Sequence, residues 1–90
     1  MRVNLAALVI TLSTLGVSAA LADEYCDVPM VDWRPMIELQ EFLESEGWVI
    51  EKIKIDDGCY EAKAIDHEGL YVEVLFDPQT FEIMKWELED

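Results

Sequence analysis

Apolar residues recur at helical spacing in one segment of the chain and alternate with polar residues in most of the chain after it. The apolar positions of the first segment lie three or four residues apart: Met36, Leu39, Phe42 and Leu43. This spacing, with glutamates between, predicts an amphipathic helix over residues 33–46. Asp32 is expected to cap the helix and residues 33–35 to form its first turn, with the proline tolerated there. Gly47 is expected to end it in a left-handed conformation.

After Gly47 the apolar and polar residues alternate with the period of two that is typical of strands. Three turn sequences divide this part of the chain: Asp57-Gly58, His67-Glu68-Gly69 and Asp77-Pro78-Gln79-Thr80. The first favours a two-residue hairpin, the second a bulged turn with a left-handed glycine, and the third a type I turn. The sequence therefore predicts four strands in an antiparallel meander, in the order 1-2-3-4.

The turns also predict which residues pair across the strands. In the first hairpin the predicted pairs are Ile55 with Tyr60, Ile53 with Ala62 and Ile50 with Ile65. In the second they are Ala64 with Val72, Ala62 with Val74 and Tyr60 with Phe76. In the third they are Phe76 with Phe81 and Val74 with Ile83. These registers collect apolar residues on one face of the sheet. That face is predicted to comprise Val49, Ile53, Ile55, Tyr60, Ala62, Ala64, Val72, Val74, Phe76, Phe81 and Ile83. The helix must cover it, which gives a two-layer α+β domain.

The chain begins with a short basic segment, an apolar run and small residues, in the order of a secretory signal peptide. The run Leu5–Leu15 is short for a membrane anchor, the alternative, which needs about 20 apolar residues. Cleavage is expected between Ala22 and Asp23, so that residues 1–22 are a signal peptide and residues 23–90 the mature domain. The expected location is the bacterial periplasm or the medium.

Two cysteines, Cys26 and Cys59, lie in the mature part. A domain this small is marginally stable, and an isolated cysteine pair in an oxidising compartment predicts a disulfide. The alternatives fit less well, because a redox pair usually has Cys-x-x-Cys spacing and a zinc site needs more cysteines or histidines.

Acidic residues dominate the mature part. All 20 acidic residues and five of the six basic ones follow residue 22, so this part carries a net charge of −15. Such a charge repels nucleic acid and anionic lipid and favours a basic partner or divalent cations. The alternative is that the charge only keeps the domain soluble. Asp56-Asp57 with Glu61, and Asp66 with Glu68, offer oxygens to a hard cation. An acidic cation-binding or sensing module is therefore the alternative function, although neither group has EF-hand spacing.

Catalytic residue types are scarce. His67 is the only histidine and lies in a predicted turn, and Ser45 is the only serine after residue 22. Neither has a partner at a spacing that predicts general-base or nucleophilic catalysis. No glycine-rich phosphate loop is present. We therefore expect a non-enzymatic protein without a cofactor.

Several motifs resemble those of the small secreted PepSY-domain proteins. They include Trp33-Arg34-Pro35-Met36, Cys59-Tyr60-Glu61-Ala62-Lys63-Ala64 and the Asp-x-x-Thr turn at residues 77–80. The positions that match the family motifs are Tyr60, Glu61, Gly69, Asp77, Pro78 and Thr80. The family's last turn commonly ends in glycine, and Phe81 stands there in this chain. PepSY domains occur in metallopeptidase propeptides, in membrane-associated regulators and as separate periplasmic proteins. The resemblance implies modulation of a protease and supplies no catalytic residues.

A row of apolar residues is expected on the face of the sheet away from the helix. The predicted registers place these side chains there: Trp48, Ile50, Ile65, Tyr71 and Trp86. Exposed tryptophan and tyrosine commonly dominate protein-binding surfaces, so the row is a candidate partner surface. The alternative is that these cross-strand pairs only stiffen a small sheet.

Overall fold

One helix and a four-stranded sheet make up the described part of the protein. The structure is a computed structural model and describes residues 25–89. A short 3-10 turn, Met30–Asp32, precedes the helix α1, Met36–Ser45. The strands are β1 (Val49–Asp56), β2 (Cys59–Ile65), β3 (Tyr71–Phe76) and β4 (Ile83–Leu88). They form one antiparallel sheet of order β1-β2-β3-β4, which confirms the predicted α+β meander.

Two further features concern membranes and export. Within residues 25–89, the helices are too short and too polar to cross a membrane. The predicted signal peptide and its cleavage site between Ala22 and Asp23 lie outside the described residues.

The helix begins three residues later than the sequence predicted. A residue before proline is driven out of the helical region, and Arg34 precedes Pro35. Arg34 instead donates its backbone N–H to the carbonyl of Pro78, at 2.9 Å. Asp32 therefore ends the 3-10 turn and does not cap α1. The predicted end is confirmed, because Gly47 has a φ of +96°.

The first hairpin follows the predicted register up to a bulge. Ile53 pairs with Ala62 as predicted, but a bulge between Ile50 and Lys52 shifts the remaining pairs by one residue. Ile50 consequently pairs with Ala64, not Ile65, and its side chain packs against the main core. Ile50 therefore faces the core and Val49 faces away from it, the reverse of the prediction, and Val49 is 63% exposed. The second hairpin has the predicted register throughout.

The third hairpin has a longer loop than predicted, so the pairs Phe76–Phe81 and Val74–Ile83 are wrong. Phe76 pairs with Ile83, and a bulge between Ile83 and Lys85 then makes Val74 pair with Trp86. The longer loop is due to Asp77, whose Oδ1 accepts hydrogen bonds from the backbone N–H groups of Gln79 and Thr80. Its backbone N–H then bonds to the carbonyl of Glu82, and its carbonyl accepts from Phe81. The loop therefore spans residues 77–82 instead of the predicted four-residue turn.

The core lies between α1 and the sheet. Its buried members are Leu39, Leu43, Tyr60, Ala62, Val72, Val74, Phe76 and Phe81. A smaller cluster on the opposite face contains the disulfide between Cys26 and Cys59, which packs with Leu75 and Met84. The predicted disulfide is thus confirmed, and it fixes the N-terminal segment to the first hairpin.

Candidate functional site

An apolar strip lies along the β4 edge on the helix side of the sheet. Paired residues of neighbouring strands point to the same face, and Trp86 and Leu88 pair with the core residues Val74 and Val72. Because the helix residues of the core pack with the buried residues of β2 and β3, α1 leaves the side chains of β4 uncovered. Ile83, Trp86 and Leu88, which we name the β4 strip, are 50%, 43% and 58% exposed.

A cleft of about 330 Å³ opens beside the β4 strip. It lies between the C-terminal half of α1 and the loop that leads into β4. Its apolar walls include Phe42, Trp48, Phe81 and Ile83. Glu46 and His67 are the polar residues of the same lining. The cleft and the strip share Ile83, so together they form one continuous apolar surface with an acidic neighbour.

Phe81 forms the floor of this region in an unusual backbone conformation. Its φ is +66°, a left-handed value that costs energy for a residue with a side chain. The ring is nevertheless 8% exposed. It stacks against Phe42 at a centroid distance of 6.4 Å, and the Arg34 guanidinium lies 3.9 Å from its centroid. Burial and the cation–π contact hold the residue in this conformation. Its position is the one at which the resembling family commonly has glycine.

The predicted partner surface does not form a single row. Ile65 and Tyr71 pair with each other and lie on the face away from α1, where Tyr71 is 59% exposed. Ile50 and Trp86 lie on the helix side, because a bulge in β1 and a bulge in β4 between Ile83 and Lys85 each turn the residue to the other face. Trp48 contacts the core through Phe76, with ring centroids 6.1 Å apart.

Charged residues cover most of the face away from α1. Glu61 is buried there, and its Oε1 lies 3.5 Å from Lys54 Nζ, an ion pair without hydrogen-bond geometry. Lys63 lies 3.5 Å from Glu89. Lys85 lies 3.3 Å from Glu87.

Glu73 lies within this charged face, between Lys63 on β2 and Glu87 on β4. Partial burial raises the pKa of its carboxyl above the ordinary value, and repulsion from Glu61 and Glu89 adds to the rise. The neighbouring Lys63 has a raised pKa, mainly because of Glu89 and then Glu73. The face is therefore a network of compensated charges.

The family-motif residues have structural roles in the described chain. The hydroxyl of Tyr60 donates to the carbonyl of Arg34 at 2.7 Å, and burial raises its pKa. Thr80 accepts a hydrogen bond from the backbone N–H of Glu82 at its hydroxyl. Gly69 has a φ of +87°, as its turn requires. Together with Asp77 and the buried Pro78, these residues fix the turns that orient β4.

The candidate catalytic and cation-binding residues are not brought together. His67 is exposed, and its nearest charged partner is Glu68 at 3.9 Å. The hydroxyl of Ser45 donates to the carbonyl of Phe42. Asp66 Oδ1 accepts from the N–H groups of its own loop. Within residues 25–89, groups of three or more His, Cys, Asp or Glu that could hold a metal ion are absent.

The geometry defines a small disulfide-linked α+β domain with an uncovered apolar edge. The family model described as "Peptidase propeptide and YPEB domain" matches residues 5–87, and the chain belongs to this PepSY family. A match was found neither among the curated proteins nor among the solved structures. The family is associated with the propeptides of proteases and their inhibition.

Proposed function

We propose that this protein is an exported, non-enzymatic domain that binds another protein and thereby modulates a protease or an envelope regulator. Family membership supports the regulatory role. The disulfide between Cys26 and Cys59 supports an oxidising location, in the periplasm or outside the cell. The observation that carries the binding role is the exposure of Trp86 on an uncovered sheet edge.

Of the two exposed apolar surfaces that contain predicted partner residues, the β4 strip is the better. Tryptophan is enriched among residues that dominate binding energies, and Trp86 lies between Ile83 and Leu88 beside a cleft. The pair Ile65 and Tyr71, on the other face, adjoins the charged rows and has no such cleft. We therefore assign the contact to the β4 strip and keep Ile65 and Tyr71 as the comparison surface.

A pair of single substitutions tests this assignment. Trp86→Ala and Tyr71→Ala each remove one large, half-exposed aromatic ring from opposite faces of the sheet. Protein captured from periplasmic extract is identified for the wild type and for both variants, and the captured protease or regulator is then assayed with each variant.

The expected result is that Trp86→Ala loses both capture and modulation, while Tyr71→Ala retains them. Loss by Tyr71→Ala alone would transfer the function to the other face. If both variants capture and modulate like the wild type, neither apolar surface carries the function. Both variants must keep the wild-type melting temperature for the comparison to hold.

A further inference from the structure

The free edge of β4 has its unpaired backbone groups at the residues that form the apolar strip. The backbone N–H of Glu89 donates to the carbonyl of Tyr71 at 2.9 Å, so Glu89 directs its backbone groups toward β3. In antiparallel pairing successive residues alternate between facing the partner strand and facing away. Leu88 and Trp86 therefore direct their N–H and C=O groups to the open edge, and their side chains to the helix side.

The other edge of the sheet is less suited to strand addition. Lys52 and Lys54 place two positive charges along β1, whereas β4 has one lysine, Lys85. Lysines are a feature by which edge strands commonly avoid pairing with another chain. Both edge strands contain a bulge, in β1 between Ile50 and Lys52 and in β4 between Ile83 and Lys85, so the bulges do not distinguish them. The apolar strip and the fewer lysines favour β4 as the place for a further strand.

Charge decides which kind of chain fits beside β4. Residues 23–90 carry a net charge of −15, so two copies repel each other. Four of the basic side chains are already in ion pairs within the described part: Arg34, Lys54, Lys63 and Lys85. Glu46 lines the cleft, and Glu82 is exposed at the start of β4. A segment that carries lysine or arginine is complementary to this edge, and an acidic one is not.

We propose that β4 binds an extended basic segment of the partner protein as a fifth strand. This rests on the proposed function, because it specifies how the β4 strip is recognised. The backbone of the segment bonds to Trp86 and Leu88, and its alternate apolar side chains cover the strip. One of them enters the cleft beside Ile83 and Phe81. Its basic side chains interact with the surrounding carboxylates.

Amide exchange measured by nuclear magnetic resonance tests the geometry. The probe is a synthetic peptide of alternating valine and lysine, about as long as β4, and its control is the same peptide with glutamate in place of lysine. The valine–lysine peptide is expected to slow exchange of the Trp86 and Leu88 amides, which face the open edge. The Glu87 amide, which faces β3, should change much less. Binding should weaken as salt is added, and the glutamate peptide should not bind.

Substitutions at Leu88 and Trp86 separate backbone pairing from apolar contact. Leu88→Pro removes an outward N–H without removing a bond to β3, and Leu88→Ala removes the same leucine side chain but keeps that N–H. The proline variant should bind the peptide about tenfold more weakly than the alanine variant, the effect of losing roughly one hydrogen bond. Trp86→Ala, which removes the ring and keeps the backbone groups, should abolish exchange protection at Leu88. Tyr71→Ala, on the other face, should bind the peptide like the wild type.

Several outcomes would overturn the proposal. They are protection of β1 amides in place of those of β4, equal binding of the glutamate peptide, and self-association of the protein through β4. If the peptide does not bind but Trp86→Ala still abolishes capture of the native partner, the strand geometry is wrong and the proposed function stands. If Trp86→Ala leaves partner capture intact, the proposed function itself fails.

Discussion

At Phe81, substitution by glycine should leave a more stable protein than substitution by alanine, the reverse of the usual order. Both changes delete a ring that is 8% exposed and contacts Phe42 and Arg34. Loss of a buried phenylalanine ring costs about 3–5 kcal/mol. Alanine must in addition keep the left-handed φ of +66°, at a cost of about 1–2 kcal/mol. Glycine avoids that cost.

Glycine has an opposing cost, because it gives the unfolded chain more freedom, by about 0.5–1 kcal/mol. The difference leaves Phe81→Gly about 0.5–1 kcal/mol more stable than Phe81→Ala, with both below the wild type. Urea unfolding of the three proteins, followed by tryptophan fluorescence, measures the order. Added sulfate keeps the weaker variants folded at the start of the titration, since it strengthens apolar burial.

Gly69 supplies a matched control for the backbone cost alone. Its φ is +87°, and a Cβ built there meets nothing within 4 Å. Gly69→Ala should therefore destabilise by about the same net difference, roughly 0.5–1 kcal/mol, without any loss of packing. The reasoning is refuted if Phe81→Ala equals or exceeds Phe81→Gly in stability while Gly69→Ala is destabilised as expected.

Three further predictions concern charge, hydrogen bonding and the disulfide. The raised pKa of Glu73 means that its carboxyl binds a proton more readily in the folded state than in the unfolded chain. The free energy of unfolding therefore decreases as the pH rises from the ordinary pKa to the raised pKa of this carboxyl. Glu73→Gln should stabilise the protein at neutral pH and reduce that pH dependence in urea titrations, and an unchanged pH profile would contradict the assignment. Tyr60→Phe removes the hydrogen bond to the carbonyl of Arg34 and should cost about 1 kcal/mol in unfolding free energy; no loss would mean that water replaces the hydroxyl. Replacing both Cys26 and Cys59 by alanine opens a loop with a sequence separation of 33 residues, and thermal unfolding should show a loss of about 3–4 kcal/mol. A loss close to zero would indicate an unfolded state that is already compact.

The sequence was sufficient for the class of fold because its turns carry strong local signals. Asp57 and Gly58 both have positive φ, 53° and 74°, as the predicted two-residue hairpin requires. Gly69 has the predicted left-handed value, and the strands that it joins have the predicted register. Short loops of this kind fix the pairing of their strands without help from the remainder of the molecule.

The two shifted registers depended on interactions that a local pattern does not contain. Val49 and Ile50 are both β-branched and apolar, so their sequence does not indicate which of them faces the core. The bulge decides this in favour of Ile50, which packs against the core. In the third loop, the hydrogen bonds of Asp77 and the left-handed Phe81 extend the turn. The one available signal was the glycine that the family commonly has at the position of Phe81.

These shifts also explain why the candidate surface differs from the predicted row. Ile50 leaves the outer face and enters the core, while the bulge in β4 after Ile83 turns Trp86 to the helix side, where it is part of the β4 strip. Leu88 moves with Trp86, since both belong to the same regularly paired part of the strand. The sequence therefore identified the apolar residues of the candidate surface, but which of them lie on the same face depended on the strand registers.

A single helix cannot cover a four-stranded sheet, so uncovered outer strands are a geometric consequence of this fold. A helix with its side chains is about 10 Å wide, and four strands place their outer members about 14 Å apart. What the geometry does not dictate is the type of residue that occupies the uncovered part. On β4, charged side chains occupy the outer face at Lys85 and Glu87, whereas the helix side has only Ile83, Trp86 and Leu88. A chain with 20 acidic residues has no shortage of charge, yet none is placed on this strip. Solubility alone would favour polar residues there, so the three large apolar side chains are the feature on which the proposed partner surface rests.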